Sequence, residues 1–193
     1  MLDSVLRRRF EGPLAPLAAR LAAHKVRAVA LTAGVFLCDA AAMFAVAHLR
    51  YPAALALLAA AALIDALDGP LARAERATPF GAYLDMVLSA VASAGIAFAF
   101  GLAAPERALA AMFLMLGLVA RTAAEAGVVR IAAAGLASLL GRAAGLIGKS
   151  ELFVAFALAC LFPDWFSVIA YLLGILCFAA AGSRLAAIAA QPT

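Results

Sequence analysis

Three aspartates and one arginine stand close together in a stretch that is otherwise almost entirely apolar: Asp65, Asp68 and Arg73, followed by Asp85. Asp65 and Asp68 are three residues apart, so on a helix they share one face. Carboxylates inside an apolar segment cost a few kcal/mol each, roughly, on insertion scales. Three of them at one depth cannot all stay ionised and unpaired. They either share protons or bind a hard cation through oxygen. A plainer alternative pairs them with Arg73 and Arg76, and makes Gly69 and Gly81 packing glycines that let helices approach closely.

The elements that position these groups follow from composition. The chain has 193 residues, 68% of them hydrophobic and only 13% charged, whereas soluble domains run at roughly 45–50% apolar. Neither a soluble globular domain nor a disordered chain fits, and an all-α integral membrane protein does. Windows of about 20 apolar residues predict six spans near 28–49, 52–73, 80–102, 106–128, 143–162 and 166–188, with Pro52, Pro79, Pro105 and Pro163 at or beside their ends. The connection 129–142 is the least regular part. Residues 1–26 place Leu14, Leu17, Ala18 and Leu21 on one helical side, away from Arg20 and Lys25, as an interfacial helix would. The expected organisation is a single membrane domain over 1–193: that interfacial helix, then a six-helix bundle over 27–188. The charged start MLDSVLRRRFEG does not read as a removable signal peptide.

With the N-terminus in the cytoplasm, the 15 basic residues fall on the inner side except Arg50 and Arg107, the positive-inside pattern. The net charge of +4 is then a matter of topology and implies no nucleic acid. Cys38, Cys160 and Cys177 have no paired spacing and read as packing residues. Of the 11 acids, Asp39, Glu125 and Glu151 also fall within or near apolar segments. Asp39 reads as an interhelical acid at a depth like that of Asp65, and Glu151 as an interfacial partner of Lys149.

The run Asp65-Ala-Leu-Asp68-Gly69-Pro-Leu-Ala72-Arg73, seven further residues, then Gly81-Ala-Tyr-Leu-Asp85 resembles the signature of the CDP-alcohol phosphotransferases, D-x-x-D-G-x-x-A-R, a spacer of usually eight, then G-x-x-x-D-x-x-x-D. The resemblance implies an integral-membrane transferase of phospholipid biosynthesis in a bacterial inner membrane, with termini and site facing the cytoplasm. Such an enzyme moves a phosphatidyl or related group from a CDP-linked lipid donor to an alcohol and releases CMP. It also implies divalent metal, Mg2+ or Mn2+, typically in a two-metal site, held by Asp65, Asp68 and Asp85. Gly69, Ala72, Arg73 and Gly81 then shape the CDP pocket, with membrane lipid around the bundle and a homodimer as the family expectation. Arg121, Arg130, Arg142 and Lys149 either attract an anionic acceptor or serve topology. The departure is Ser89, which stands where the signature has its last aspartate, the group that helps hold metal and is proposed as the base for the acceptor hydroxyl. A serine hydroxyl is no comparable base. Either another base is recruited, with Asp39, Glu125 and Glu151 as the candidates, or the chain is a relative that binds CDP-lipid or metal without turnover; a small proton or cation transporter is a further reading.

Overall fold

The structure, a computed structural model, describes residues 28–75, 78–131 and 148–189; within these, only the backbone is described at 28, 68–75, 79, 130 and 131. The expected interfacial helix and the 129–142 connection lie largely outside the described residues. Among those described there are six helices and no strands: α1 (Ala28–Ala47), α2 (Tyr51–Glu75), α3 (Pro79–Ala103), α4 (Ala108–Ile131), α5 (Lys149–Leu161) and α6 (Phe166–Ala189). Short 3-10 turns, Pro105–Arg107 and Pro163–Trp165, lead into α4 and α6. The prolines therefore start elements, where a missing N–H is harmless.

Four segments are long and apolar enough to cross a bilayer unaided: Val29–Ala47, Phe80–Ala103, Pro105–Val129 and Pro163–Ala189. In α2 the apolar part is the shorter stretch Tyr51–Leu67, because Asp65, Asp68 and Arg73 make its far end polar. The described part of α5 has 13 residues, about 20 Å of helix.

The side chains are distributed as in a membrane bundle. The buried positions are dominated by alanine, among them Ala42, Ala54, Ala97, Ala159 and Ala170, while Leu37, Phe44, Leu63, Leu109 and Leu116 point outward and are each more than half exposed. Lipid is as apolar as leucine, so large residues gain nothing by turning inward, and small ones let helices close up. α1 packs along α2 and α3, α4 along α3 and α6, and α5 against α2. A close crossing joins α4 to α6: a Cβ added at Gly117 would stand 2.9 Å from the Gly174 carbonyl oxygen and 3.1 Å from its Cα.

One pole of the bundle is tied by aromatic rings. Tyr51, Phe100 and Phe166 stack in series, with centroids 5.9 and 4.3 Å apart, and Arg107 donates to the Tyr51 hydroxyl at 2.7 Å. The α1–α2 turn lies at this pole and closes with Arg50 N–H donating to the Ala45 carbonyl, with Leu49 in the left-handed region at φ 59°. The opposite pole carries the acids.

Because the Gly117–Gly174 contact leaves no room for a side chain, Gly117→Val forces α4 from α6. It should cost about 2 kcal/mol through overpacking, read as a lower melting temperature of the purified protein in detergent.

Candidate active site

Three helix ends build the acidic pole. α2 runs through Asp65, Asp68, Gly69, Ala72 and Arg73 before ending at Glu75. Helix α3 starts at once: Thr78 is extended (φ −92°, ψ 144°), Pro79 occupies the first helical turn, and the Thr78 hydroxyl accepts from Gly81 N–H at 3.1 Å. This cap fixes where α3 begins, and so places Asp85 less than two turns into it. Gly81 faces the cap and α1: a Cβ there would stand 3.1 Å from Thr78 Oγ1 and 3.6 Å from Val29. α5 begins at Lys149, and the Glu151 carboxylate reaches back to accept from Gly148 N–H at 2.9 Å, so Glu151 caps the helix that the sequence reading had it open as an ion-pair partner.

The ammonium of Lys149 goes instead to the aspartates. Its Nζ donates to both oxygens of Asp85, at 2.7 and 2.9 Å, and to Asp65 Oδ1 at 3.1 Å. Asp65 on α2 and Asp85 on α3 are thus brought to a single point by a residue of α5. Lys149 therefore bridges the α2 and α3 sides of the hairpin at Asp65 and Asp85. All three side chains are a little over one-third exposed, open enough to admit a solute. The side chains of Asp68, Gly69, Ala72 and Arg73 lie outside those described; their helix carries them to the same pole.

Beside this point is a cavity of about 210 Å³. Asp85 and Lys149 form one side, Ser89 and Ser93 continue down α3, and Arg121, Thr122 and Glu125 face them from α4. Ser89, one turn beyond Asp85, keeps the helical face on which the signature has its last acid, and its carbonyl accepts from Ser93 Oγ at 2.8 Å. Glu125 Oε1 accepts from Arg121 Nε and from Arg184 Nη2, both at 3.1 Å. Arg184 on α6 is 8% exposed, and its Nη1 is buried without an acceptor among the described residues. The sequence reading assigned Arg184 to topology alone. Its signal was present, as a single cation at the end of the uncharged run 165–183, but nothing in the sequence names its partner.

A bilayer-spanning bundle that sets a carboxylate hairpin at one end, next to a polar cavity, has the layout of a membrane enzyme acting at the interface. The family model for CDP-alcohol phosphatidyltransferase matches residues 25–182, and the chain belongs to that family. It is accordingly an integral membrane transferase of the phospholipid-biosynthesis type. The inner membrane protein YnjF of Escherichia coli (strain K12) is 34% identical over 143 residues, 70% of this chain and 69% of that protein. The fold is similar to that of phosphatidylinositol phosphate synthase (PgsA1) of Mycobacterium tuberculosis, solved with CDP-DAG bound: TM-score 0.75 at 20% identity, over 93% of this chain and 94% of that one.

The family uses divalent metal ions. Among the described residues no three His, Cys, Asp or Glu side chains gather closely enough to hold one, and Asp68 is outside that set. The donor chemistry nevertheless suits such an ion. Carboxylate oxygens are the hard ligands it takes, and the Lys149 ammonium between Asp65 and Asp85 demonstrates that a positive charge is accommodated there.

The Arg121–Glu125–Arg184 cluster sets up a stability test. Glu125→Gln leaves two guanidinium groups without their counter-charge, both nearly nine-tenths buried or more. Breaking such a pair should cost about 3 kcal/mol, the low end for buried ions because Glu125 keeps some exposure. The readout is thermal unfolding of the purified protein, with Glu106→Gln as the surface control.

Proposed function

We propose that this chain transfers a phosphatidyl or related phosphoalcohol group from a CDP-linked lipid to the hydroxyl of an alcohol. The hydroxyl oxygen bonds to the lipid-side phosphorus, the diphosphate P–O bond breaks, and CMP leaves with the electron pair. Asp65, Asp68 and Asp85 are the metal ligands in this reading, with Mg2+ or Mn2+ as the ion. Gly69, Ala72 and Gly81 keep the nucleotide side of the hairpin narrow, and Arg73 gives a charge-assisted contact to phosphate. A divalent cation supplies neutralisation of the charge that develops on the leaving CMP. The observation that carries the reading is the convergence of Asp65 and Asp85 on one cation at the polar end of α2 and α3, within a chain of this family.

The acceptor enters the cavity between α3 and α4, where Ser89 and Ser93 offer hydroxyls. All six helices cross the bacterial inner membrane in this reading, with the acidic pole on the cytoplasmic side, as thirteen of the 15 basic residues suggest. A soluble nucleotide and a lipid tail then meet without either leaving its preferred medium. Ser89 favours a second reading, a relative that binds the donor or metal without turnover, because the hydroxyl proton lacks the acid that the signature provides to receive it.

The test is CMP release by the purified protein from radiolabelled CDP-diacylglycerol with Mg2+ or Mn2+ and a panel of alcohols. Transfer predicts release well above an Asp68→Ala control; none with any acceptor, in a protein that still binds the CDP-lipid, establishes the second reading. Ser89→Asp restores a ligand, and should tighten Mn2+ binding on the order of tenfold and raise turnover.

A further inference from the structure

We propose that Glu125 of α4 is the base of this transfer, taking the proton of the acceptor hydroxyl in place of the aspartate that Ser89 replaces. This rests on the transferase reading above. The cavity that receives the acceptor has two facing walls. Leu118, Arg121, Thr122 and Glu125 are spaced as one face of α4, and Asp85 and Ser89 as one face of α3. The short turn Pro105–Arg107 makes the two helices antiparallel, so the end of α4 returns to the pole at which α3 begins. Glu125 therefore shares a cavity with Asp85 and with the position from which the signature's last acid is missing.

The contacts of the carboxylate suit that role. Arg121 Nε and Arg184 Nη2 both donate to Oε1, each at 3.1 Å, and no described residue donates to Oε2. One oxygen is anchored and the other is open to a proton. The anchors come from α4 and α6, and both guanidinium groups are about nine-tenths buried, which fixes the carboxylate in place. Pairing keeps it charged, the form that accepts a proton. Arginine partners also weaken a base, and the cavity offsets this. Arg121 and Lys149 line it and favour the negative charge that grows on the acceptor oxygen as its proton leaves. The other two candidate acids do not compete. Neither Asp39 nor Glu151 lines the cavity, and Glu151 accepts from Gly148 N–H at the start of α5.

In the step itself, the acceptor O–H proton passes to Glu125 Oε2 as the hydroxyl oxygen bonds to the lipid-side phosphorus. The diphosphate P–O bond breaks and CMP leaves with its electron pair. Glu125 then gives the proton to the departing CMP or to water at the mouth of the cavity.

The test measures Glu125→Gln in two backgrounds, wild type and Ser89→Asp, by CMP release from CDP-diacylglycerol with Mg2+ and the alcohol that supports the fastest release. Assays run below the lowered melting temperature of the variants, with CDP-diacylglycerol binding measured alongside. In the wild-type background Glu125→Gln should lower kcat by about 100-fold or more and leave donor affinity unchanged. In Ser89→Asp, where α3 again carries an acid, the same change should cost less than about tenfold. A counter-charge with a structural role alone predicts equal losses in both backgrounds, and that result overturns the proposal. Undiminished turnover in folded Glu125→Gln overturns it as well, as does CMP release by Ser89→Asp with none by the wild type. Should Glu125→Gln not fold, Glu125→Gln combined with Arg184→Gln, which removes one guanidinium together with the carboxylate, is compared with Arg184→Gln in the same two backgrounds. CMP release with equal losses removes only the assignment of Glu125; no release by any of these proteins with any alcohol removes the transferase reading too.

Discussion

An ion inside a bilayer-embedded bundle is tolerated only with a partner in hydrogen-bond reach, and in this chain that requirement decides where helices meet. Lys149 links α5 to α2 through Asp65 and to α3 through Asp85. On the other side of the cavity, Glu125 links α4 to α6 through Arg184. Lys149, Asp65, Asp85, Glu125 and Arg184 each sit on a different helix from a partner, so pairing and tertiary packing are a single problem. The cavity lies between the two clusters.

The opposite pole relies on aromatic stacking, with Arg107 bonded to Tyr51 and paired with the exposed Asp164. Stacked Tyr51, Phe100 and Phe166 and the alanine-rich interior draw the helices together over their apolar length. The Gly117–Gly174 approach brings α4 close to α6, which in turn carries Arg184 to Glu125. A rigid apolar half therefore positions the polar half. Along the apolar length of the bundle the outer surface presents leucine and phenylalanine.

Much of the layout was legible from residue types. Pro79, Pro105 and Pro163 marked element starts and were found there, because proline loses nothing at a position whose N–H has no helical acceptor. The uncharged runs marked helices, because charge is so costly in hydrocarbon that its absence over twenty residues is itself information. The motif placed Asp65 and Asp85 on neighbouring helices, and the short α2–α3 connection required an antiparallel hairpin. What could not be read were the partners over long separations. Lys149 lies 84 residues from Asp65 and Arg184 lies 59 from Glu125, and no spacing within one helix or hairpin links either pair. Glu151 looked like a partner of Lys149 and caps the helix instead.

The sequence by itself determined the membrane setting, the helical elements, the family signature and the missing acid at Ser89, because each depends on local composition or on spacing within one hairpin. Only the tertiary structure decided which cation stands between Asp65 and Asp85, and that Glu125 is shared by arginines of two helices. Those contacts depend on how α5 and α6 fold back against α2 and α4, and periodicity along one helix carries no information about the side chain that a distant helix brings to it.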